Sequence, residues 1–552
     1  MKRHFPKSFG DWRHKDLISG KTIKTFLSIV VVFSLTIGGC SSYNDFSVGE
    51  ARKLLNGGEL DKTIKMVEAV LKKEPDNKEA FLLRGRARER SDEWDQALED
   101  YSEALNRDQD LVEALEARGR LKIRLRDYDG ALEDLNKAFL LGVKTPYLLS
   151  SLGLVHFFKK DFAEARRFFD ESQKLDEKHE GVYFGRAAIE IEEKNFQAAI
   201  QELDSLLKFH PKDPQALFRR GFAYLKASEP QKALTDFNKA LEYDPELKEI
   251  YWYRAETNRV LGMPQQALED YKKAEAADPN DPILFLNQGT VLMAMGEYNE
   301  ALENLTRSIV LDPENPLPFI NRAVLHFDTG NLFAALGDLN KAIDLREDDS
   351  QLLIRRAYIF KLMARGDKAI SDLDTALEHD PKNHQALLLR GSLYYNEYQL
   401  DRSILDLTQA IDQTPDDASA HQLLAEALLR KGDRKSAIEH ATIALEKDPS
   451  YIPAHVTIGD IQKSDLNYDQ AVEAYSRALK IDPNNFDAGL KRARLYVELR
   501  DFPKALDDLD SAVKVNPYSG ELYTLRSQCY LALGDQEKAR QDSWRARVFV
   551  NR

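Results

Sequence analysis

One apolar column runs through the chain at a fixed interval: Ala87, Leu121, Val155, Ile189, Val291, Leu325, Ile359, Leu495 and Cys529 are separated by 34 residues or multiples of 34. Laying the sequence on itself at that shift aligns Asn44 to the C-terminus without an insertion or deletion. Fifteen units result, running 44–77, 78–111 and so on to 486–519 and 520–552. Two further columns hold small residues. The eighth position is Gly or Ala in every unit except the last, which has Ser527, and the twentieth is Ala from Ala97 to Ala539 except for Ser403. Small side chains twelve residues apart let two consecutive helices approach closely, so each unit is predicted to be a helical hairpin.

The boundaries of the hairpins follow from proline and from capping residues. Ten units have Pro at position 32, from Pro75 to Pro517, where the ring lacks a donor and clashes with a continuing helix. Asp213-Pro214, Asp281-Pro282, Asn315-Pro316 and Thr145-Pro146 each place a capping side chain before a proline at the first helical position.

The 34-residue period, the small residues at positions 8 and 20, the frequent aromatic or Leu at 24 and the Pro at 32 resemble the tetratricopeptide repeat. The usual Trp at position 4 is replaced by Phe81, Tyr183, Tyr251, Phe285 or Leu. The resemblance implies an all-α, right-handed superhelical solenoid of about fifteen hairpins, whose first helices line a concave face that binds an extended peptide. It also implies that positions 2, 5, 6, 9 and 12 meet the ligand. Position 5 then contributes Phe184, Phe218, Trp252, Leu286, Ile320, Ile354 and Leu388 to a candidate groove. Position 6 adds Asn287, Asn321 and Arg355, and an amide can serve a ligand's backbone as both donor and acceptor. The alternative for the apolar column is packing against the neighbouring hairpin.

A second pattern points to structure. Position 7 is Arg in ten units, and in all ten position 23 is acidic. The pairs include Arg84 with Asp100, Arg220 with Asp236, Arg254 with Asp270, Arg322 with Asp338, Arg356 with Asp372 and Arg390 with Asp406. The other five units lack both charges, as in Leu424/His440 and Gln288/Asn304. Residues that change together in this way are expected to touch across the hairpin, because breaking one half of a shielded pair strands a charge.

Charge narrows the partners. The chain carries −14 overall, and its first 39 residues are locally basic, so removing them would leave a still more acidic protein. Such a surface repels phosphate backbones, and nucleic acid is not an expected partner. Arg86, Arg90, Arg120 and Arg124 form a local basic cluster offset by Glu89 and Glu116. It reads as a solvated face, or as a contact for an acidic partner or lipid head groups.

The basic segment before residue 25 leads into an uncharged apolar run from Thr25 to Ile37, too short for a comfortable membrane span. Leu35-Thr36-Ile37-Gly38-Gly39-Cys40 resembles a bacterial lipobox. The resemblance implies a signal peptide at 1–39, a lipidated Cys40 at the head of a 40–43 tether, and one continuous solenoid over 44–552. It also implies attachment to a bilayer through acylated Cys40, and Ser41 favours the outer membrane, facing the periplasm.

No phosphate-binding loop, dinucleotide fingerprint, zinc-protease motif or nucleophile elbow occurs, and the gapless register leaves no room for an inserted catalytic domain. No enzyme activity, cofactor or metal is expected. His421, His440 and His455 are read as ordinary part-buried imidazoles rather than ligands, and Cys529 as an apolar filler. The functional expectation is a non-catalytic scaffold for an envelope, secretion, pilus or polysaccharide-export assembly, with one or more proteins bound through an extended segment. The alternatives are a polysaccharide-binding accessory and a regulator of a separate cell-wall enzyme.

Overall fold

The structure, a computed structural model, describes residues 46–550. The segment read as a signal peptide, 1–39, the 40–43 segment read as a tether, and Cys40 lie outside the described residues. Among the described residues thirty helices follow one another, from Phe46–Asn56 to Gln536–Val550, and no strand occurs. The helices pair into hairpins in the predicted phase. In the second repeat, Lys78–Arg90 and Trp94–Arg107 occupy positions 1–13 and 17–30. The chain divides into two compact units, one ending at Pro279 and the other beginning at Asn280. Each is a stack of consecutive hairpins.

The start of each first helix is set locally. Asp213 Oδ1 accepts from the backbone N–H groups of Gln215 and Ala216, and Asp281 and Asn315 do the same for Ile283 and Leu317. These acceptors satisfy donors that have no partner inside the helix. The second helix ends at position 30, so the proline at 32 lies two residues beyond it, where it blocks continuation.

The turn inside each hairpin carries a feature that the sequence hides. Position 15 has a positive φ in all fifteen repeats. Six of these residues are glycines, but Asp92, Arg126, Lys160, Lys194, Ser228, Ala364, Tyr398, Leu466 and Arg500 also adopt φ between 56° and 65°. The hydrogen bonds explain why. The Glu93 N–H donates to the Arg88 carbonyl at 2.9 Å and the Asp92 N–H to the Glu89 carbonyl at 3.3 Å, a helix-ending motif that needs one left-handed residue.

The small eighth position has an equally direct cause. A Cβ on Gly85 would meet the Tyr101 ring at 2.6 Å, and one on Gly459 would meet Tyr475 at 2.4 Å. Position 24 therefore lies against the backbone of the first helix. Tyr101, Phe169, Phe237, Tyr271 and Tyr475 at that position are essentially inaccessible to solvent. Burying rings of this size against alanines at position 20 supplies much of the hydrophobic stabilisation of these five hairpins.

Within each unit, most consecutive first helices touch one another, whereas consecutive second helices make no comparable contact. The first helices thus form the inner wall, with positions 6 and 9 of neighbouring hairpins face to face. No helix among the described residues is long and apolar enough to cross a membrane.

Candidate functional site

The wall of first helices rests on the Arg/acid column. The guanidinium of Arg220 donates through Nε and Nη2 to the two carboxylate oxygens of Asp236, both at 2.7 Å. Arg254 grips Asp270 in the same way, as Arg322 does Asp338, Arg356 does Asp372 and Arg390 does Asp406, all at 2.6–2.9 Å. Arg84 holds Asp100 likewise, with Arg88 adding a third guanidinium contact at 2.8 Å. Planar two-point pairing of this kind fixes orientation as well as distance.

The sequence marks these acids without saying how deep they lie. Asp100, Asp236, Asp270, Asp338, Asp372 and Asp406 are all buried, whereas their arginines are only half-buried. The carboxylates therefore hold the wall from behind and are closed to a ligand. Burial also raises what is lost when one partner is removed, since the other charge then stays desolvated.

The remaining nitrogen reaches further than the sequence suggests. Arg220 Nη1 donates to Asp204 of the preceding hairpin at 2.7 Å, and Arg390 Nη1 to Asp374 at 2.6 Å. Arg254, Arg322 and Arg356 use Asn238, Thr306 and Asn340 in the same place. Each of these arginines therefore fastens its own hairpin and ties it to the one before. Arg186 departs from the rule. Its acid is Glu202, 3.8 Å away, and it bonds instead to Asp170 and Gln173.

A second coupling passes through the buried tyrosines. The hydroxyls of Tyr101, Tyr271 and Tyr475 donate to Glu89 at 2.5 Å, Glu256 at 3.0 Å and Asp460 at 2.6 Å, acids on the inner wall. Burial pushes these phenols up, and the adjacent carboxylates push them further. Where position 24 is Phe169 or Phe237, the corresponding wall residues are Leu154 and Phe157 or Phe222 and Leu225. That covariation was open to sequence inspection.

The apolar column at position 5 mostly faces inward. Phe184, Phe218, Leu286, Ile320 and Ile354 are buried, and Trp252 and Leu388 are half-buried. In the first unit, Phe184 lies under the Arg219 guanidinium at 5.2 Å, and Phe218, Phe222 and Trp252 each pack on Tyr253 with centroids 5.0–5.3 Å apart. Burial pulls the Arg219 guanidinium down to about 10. In the second unit, Asn321 Nδ2 is committed to Thr290 Oγ1 at 2.9 Å, while the Asn287 side chain makes no hydrogen bond among the described residues. Arg355 is half-buried, and desolvation lowers its guanidinium.

The histidines are bonded within the repeats. His421 Nδ1 and His440 Nδ1 lie 3.0 Å apart in stacked rings, and the Nε2 atoms of His421 and His455 meet the carbonyls of Pro415 and Pro449. Tyr183 and Tyr523, in the same column, donate to the Glu177 and Pro517 carbonyls. The fourth position thus uses a polar tip to close the loop between hairpins. Cys529 is fully buried, and burial pushes its thiol up.

The basic cluster divides in two. Arg90 Nη1 donates to the Leu55 carbonyl at 2.7 Å and Arg124 stacks 4.8 Å over Trp94. Arg86 and Arg120, both at position 9, make no hydrogen bond or ion pair among the described residues. They are half-buried on neighbouring first helices, and desolvation lowers Arg86, with the charge of Arg120 acting in the same direction.

Family profiles agree with this architecture. Those described as tetratricopeptide repeat match residues 214–247 and residues 48–111, 116–180, 398–452 and 490–546, and one described as TPR repeat matches 289–330 and 467–499. The chain is a helical-repeat protein, and it belongs to the tetratricopeptide-repeat family. A comparison with curated proteins found no match.

Among solved structures, the chain resembles the APC/C hetero-tetramer Cut9–Hcn1 at 16% identity and a TM-score of 0.38, covering 92% of this chain and 98% of that one. A tetratricopeptide repeat protein from Parabacteroides merdae matches at 20% identity and a TM-score of 0.37, covering 42% of this chain and 93% of that one. Neither likeness says what this chain binds.

Proposed function

We propose that this chain is a non-catalytic protein-binding scaffold, held at a bacterial envelope membrane by a lipid on Cys40, that recruits partners through its wall of first helices. The observation carrying the reading is that wall: arginine clamps fix the hairpins that display half-exposed Phe222, Trp252 and Leu388, and Asn287 stands half-exposed on a first helix without a clamp. A surface fixed in advance loses little ordering entropy when a segment docks. The partner is an extended peptide segment of an envelope assembly, and the lipid supplies location rather than specificity.

The test is photo-crosslinking in intact cells from amino-acid analogues placed at Trp252 and at Asn287, followed by purification through the C-terminus. A defined protein captured from these positions, and not from an outward site such as Leu140, supports the scaffold. Equal capture from all three positions would count against it. The anchor has its own test, since Cys40→Ser should abolish fatty-acid labelling and release the protein from membranes.

A further inference from the structure

We propose that the open face of the helix Gln536–Val550 docks one helix of a partner protein, a helix that carries an apolar residue between two acidic ones. This goes beyond the scaffold reading above, because it uses a second helix and not the inner wall.

The face is marked by a break in the repeat. Positions 21, 25 and 28 lie on one side of each second helix, a turn apart. In the first fourteen repeats position 25 is always polar, and positions 21 and 28 are apolar except for Arg166, Gln173 and Glu275. Within each unit these positions meet the next hairpin. Ile404 and Ile411 pack with Leu424 of the following repeat, and position 25 takes the guanidinium of the following clamp, as Asp510 takes that of Arg526 at 2.8 Å. In the fifteenth repeat the chemistry is inverted, with Arg540 and Arg547 at 21 and 28 and Trp544 at 25. Trp544 is 66% exposed. Arg540 and Arg547 are also exposed, and among the described residues neither makes a hydrogen bond or ion pair, even with Glu537 one turn before Arg540. The other cations of the helix are held by acids, Lys538 by Asp535 and Arg545 by Asp542.

The chain contains one precedent for what covers such an arginine. Arg166, the only other Arg at position 21, donates to Glu190 on the next first helix at 2.6 Å and to Glu193 at the end of that helix at 2.8 Å. Position 25 meets position 7 of the same helix, four residues before the place that Glu190 occupies. A helix laid antiparallel on the Arg540–Arg547 face therefore sets an apolar side chain on Trp544, a carboxylate four residues later on Arg540 and another three residues earlier on Arg547. The pattern that fits is Glu-x-x-Leu-x-x-x-Glu. Trp and Arg are the residue types that most often dominate an interface, and each guanidinium offers a carboxylate parallel donors. A bilayer is a poorer match, because recruitment to anionic lipids takes about four or more clustered cations and this face presents two.

The experiment uses the full chain in detergent and three immobilised Ala-based peptides of about eighteen residues, long enough to populate a helix. One has a Glu-Ala-Ala-Leu-Ala-Ala-Ala-Glu core, the second has Gln for both Glu, and the third has Ala for Leu. The expected result is binding about tenfold tighter to the first peptide than to either control. That preference should be lost in Trp544→Ala and in Arg540→Gln/Arg547→Gln, and partly kept in Arg540→Lys/Arg547→Lys. Matching melting profiles for these proteins separate loss of contact from loss of fold.

Equal binding of the three peptides by the unmodified chain overturns the proposal, as does a preference that survives Trp544→Ala. Failure to bind any of them also refutes the docking face, whereas the scaffold reading stands or falls on the cross-linking at Trp252 and Asn287. Phosphatidylglycerol vesicles form the remaining arm. If their capture, and not that of the first peptide, depends on Trp544 and the two arginines, the face belongs to a membrane and the proposal is overturned.

Discussion

The second and third repeats and the twelfth and thirteenth fasten the same fold by opposite means. In the former, Arg84 with Asp100 and Arg118 with Asp134 clamp each hairpin across positions 7 and 23, and the wall arginines Arg86 and Arg120 are left over. In the latter those positions hold Leu424/His440 and Ile458/Ala474, with no ion pair. There the wall carries the links instead. Glu426 Oε1 accepts from Thr457 Oγ1 of the next repeat at 3.5 Å, and Asp460 accepts from Tyr475 at 2.6 Å and from Lys491 of the next repeat at 2.7 Å. A polar group on the wall can tie neighbouring hairpins together or await a ligand. In the second and third repeats, where the clamp is present, Arg86 and Arg120 carry no such link.

If the clamp carries the early repeats, Asp134→Ala should have the largest effect. It leaves both Arg118 and Lys122 without their carboxylate, a loss of about 3 kcal/mol. Stability in a repeat array is local, so hydrogen exchange resolved by repeat is the measurement, and protection should fall in repeats two to four. A loss below that of an ordinary surface substitution would break the comparison.

The matching experiment in the late repeats is Asp460→Ala. It removes the acceptor of a buried tyrosine hydroxyl and of an ammonium group, costing about 2 kcal/mol around repeats 13 and 14. In contrast, Arg86→Gln should change protection by no more than about 0.5 kcal/mol, because it breaks no bond. Equal losses from Asp460→Ala and Arg86→Gln would show that the two walls do not differ as described.

Much of this was legible in the chain. The gapless period, the capping residues and the covarying positions 7 and 23 set the hairpin, its limits and the clamp, since each reflects contacts inside one repeat. What covariation could not give was depth: Asp270, Asp338, Asp372 and Asp406 look like any charged residue on a helix, and only the packed hairpin puts them out of reach of solvent. The link from the clamp arginine to position 25 of the preceding hairpin was harder to read. Asp204, Asn238, Thr306 and Asp374 fill that role with different side chains, so no single residue type marks the column. The groove was read too broadly for a related reason. A periodic apolar position serves core and ligand equally well in sequence, and only burial assigns Phe184, Phe218, Leu286, Ile320 and Ile354 to the interior. The left-handed turn was hidden because its hydrogen bonds are made by the backbone.

Acid should separate the two regions further. Burial lowers the His440 imidazole, with His421 adding to the shift and Glu439 opposing it. The folded state then binds fewer protons than the unfolded state, whose histidine titrates near its ordinary value of about 6.5. The twelfth repeat should keep its full stability above that value and lose part of it as the pH falls from there through the lowered folded value. Exchange protection should drop around His421 and His440 as the pH is taken from about 7.5 to about 5.5, with little change in repeats two and three, and His440→Leu should remove the difference. A pH slope that persists in that variant would reassign it to other groups.

The smallest predicted effect is one in which the two regions should agree. Arg126, at the turn of the third repeat, and Leu466, at the turn of the thirteenth, adopt left-handed φ values of 65° and 63°. A side chain in that conformation is strained by contact between its Cβ and the backbone, and glycine is not. Glycine also loses more chain entropy on folding, so Arg126→Gly and Leu466→Gly should each stabilise their hairpin by only about 0.5 kcal/mol. Local exchange protection in each variant is the check. Equal small gains would place the difference between the regions in their side-chain links alone, since the turn is the same backbone motif in both. A gain at one turn and a loss at the other would mean that the hairpins themselves differ, and the contrast between clamp and wall would then be secondary.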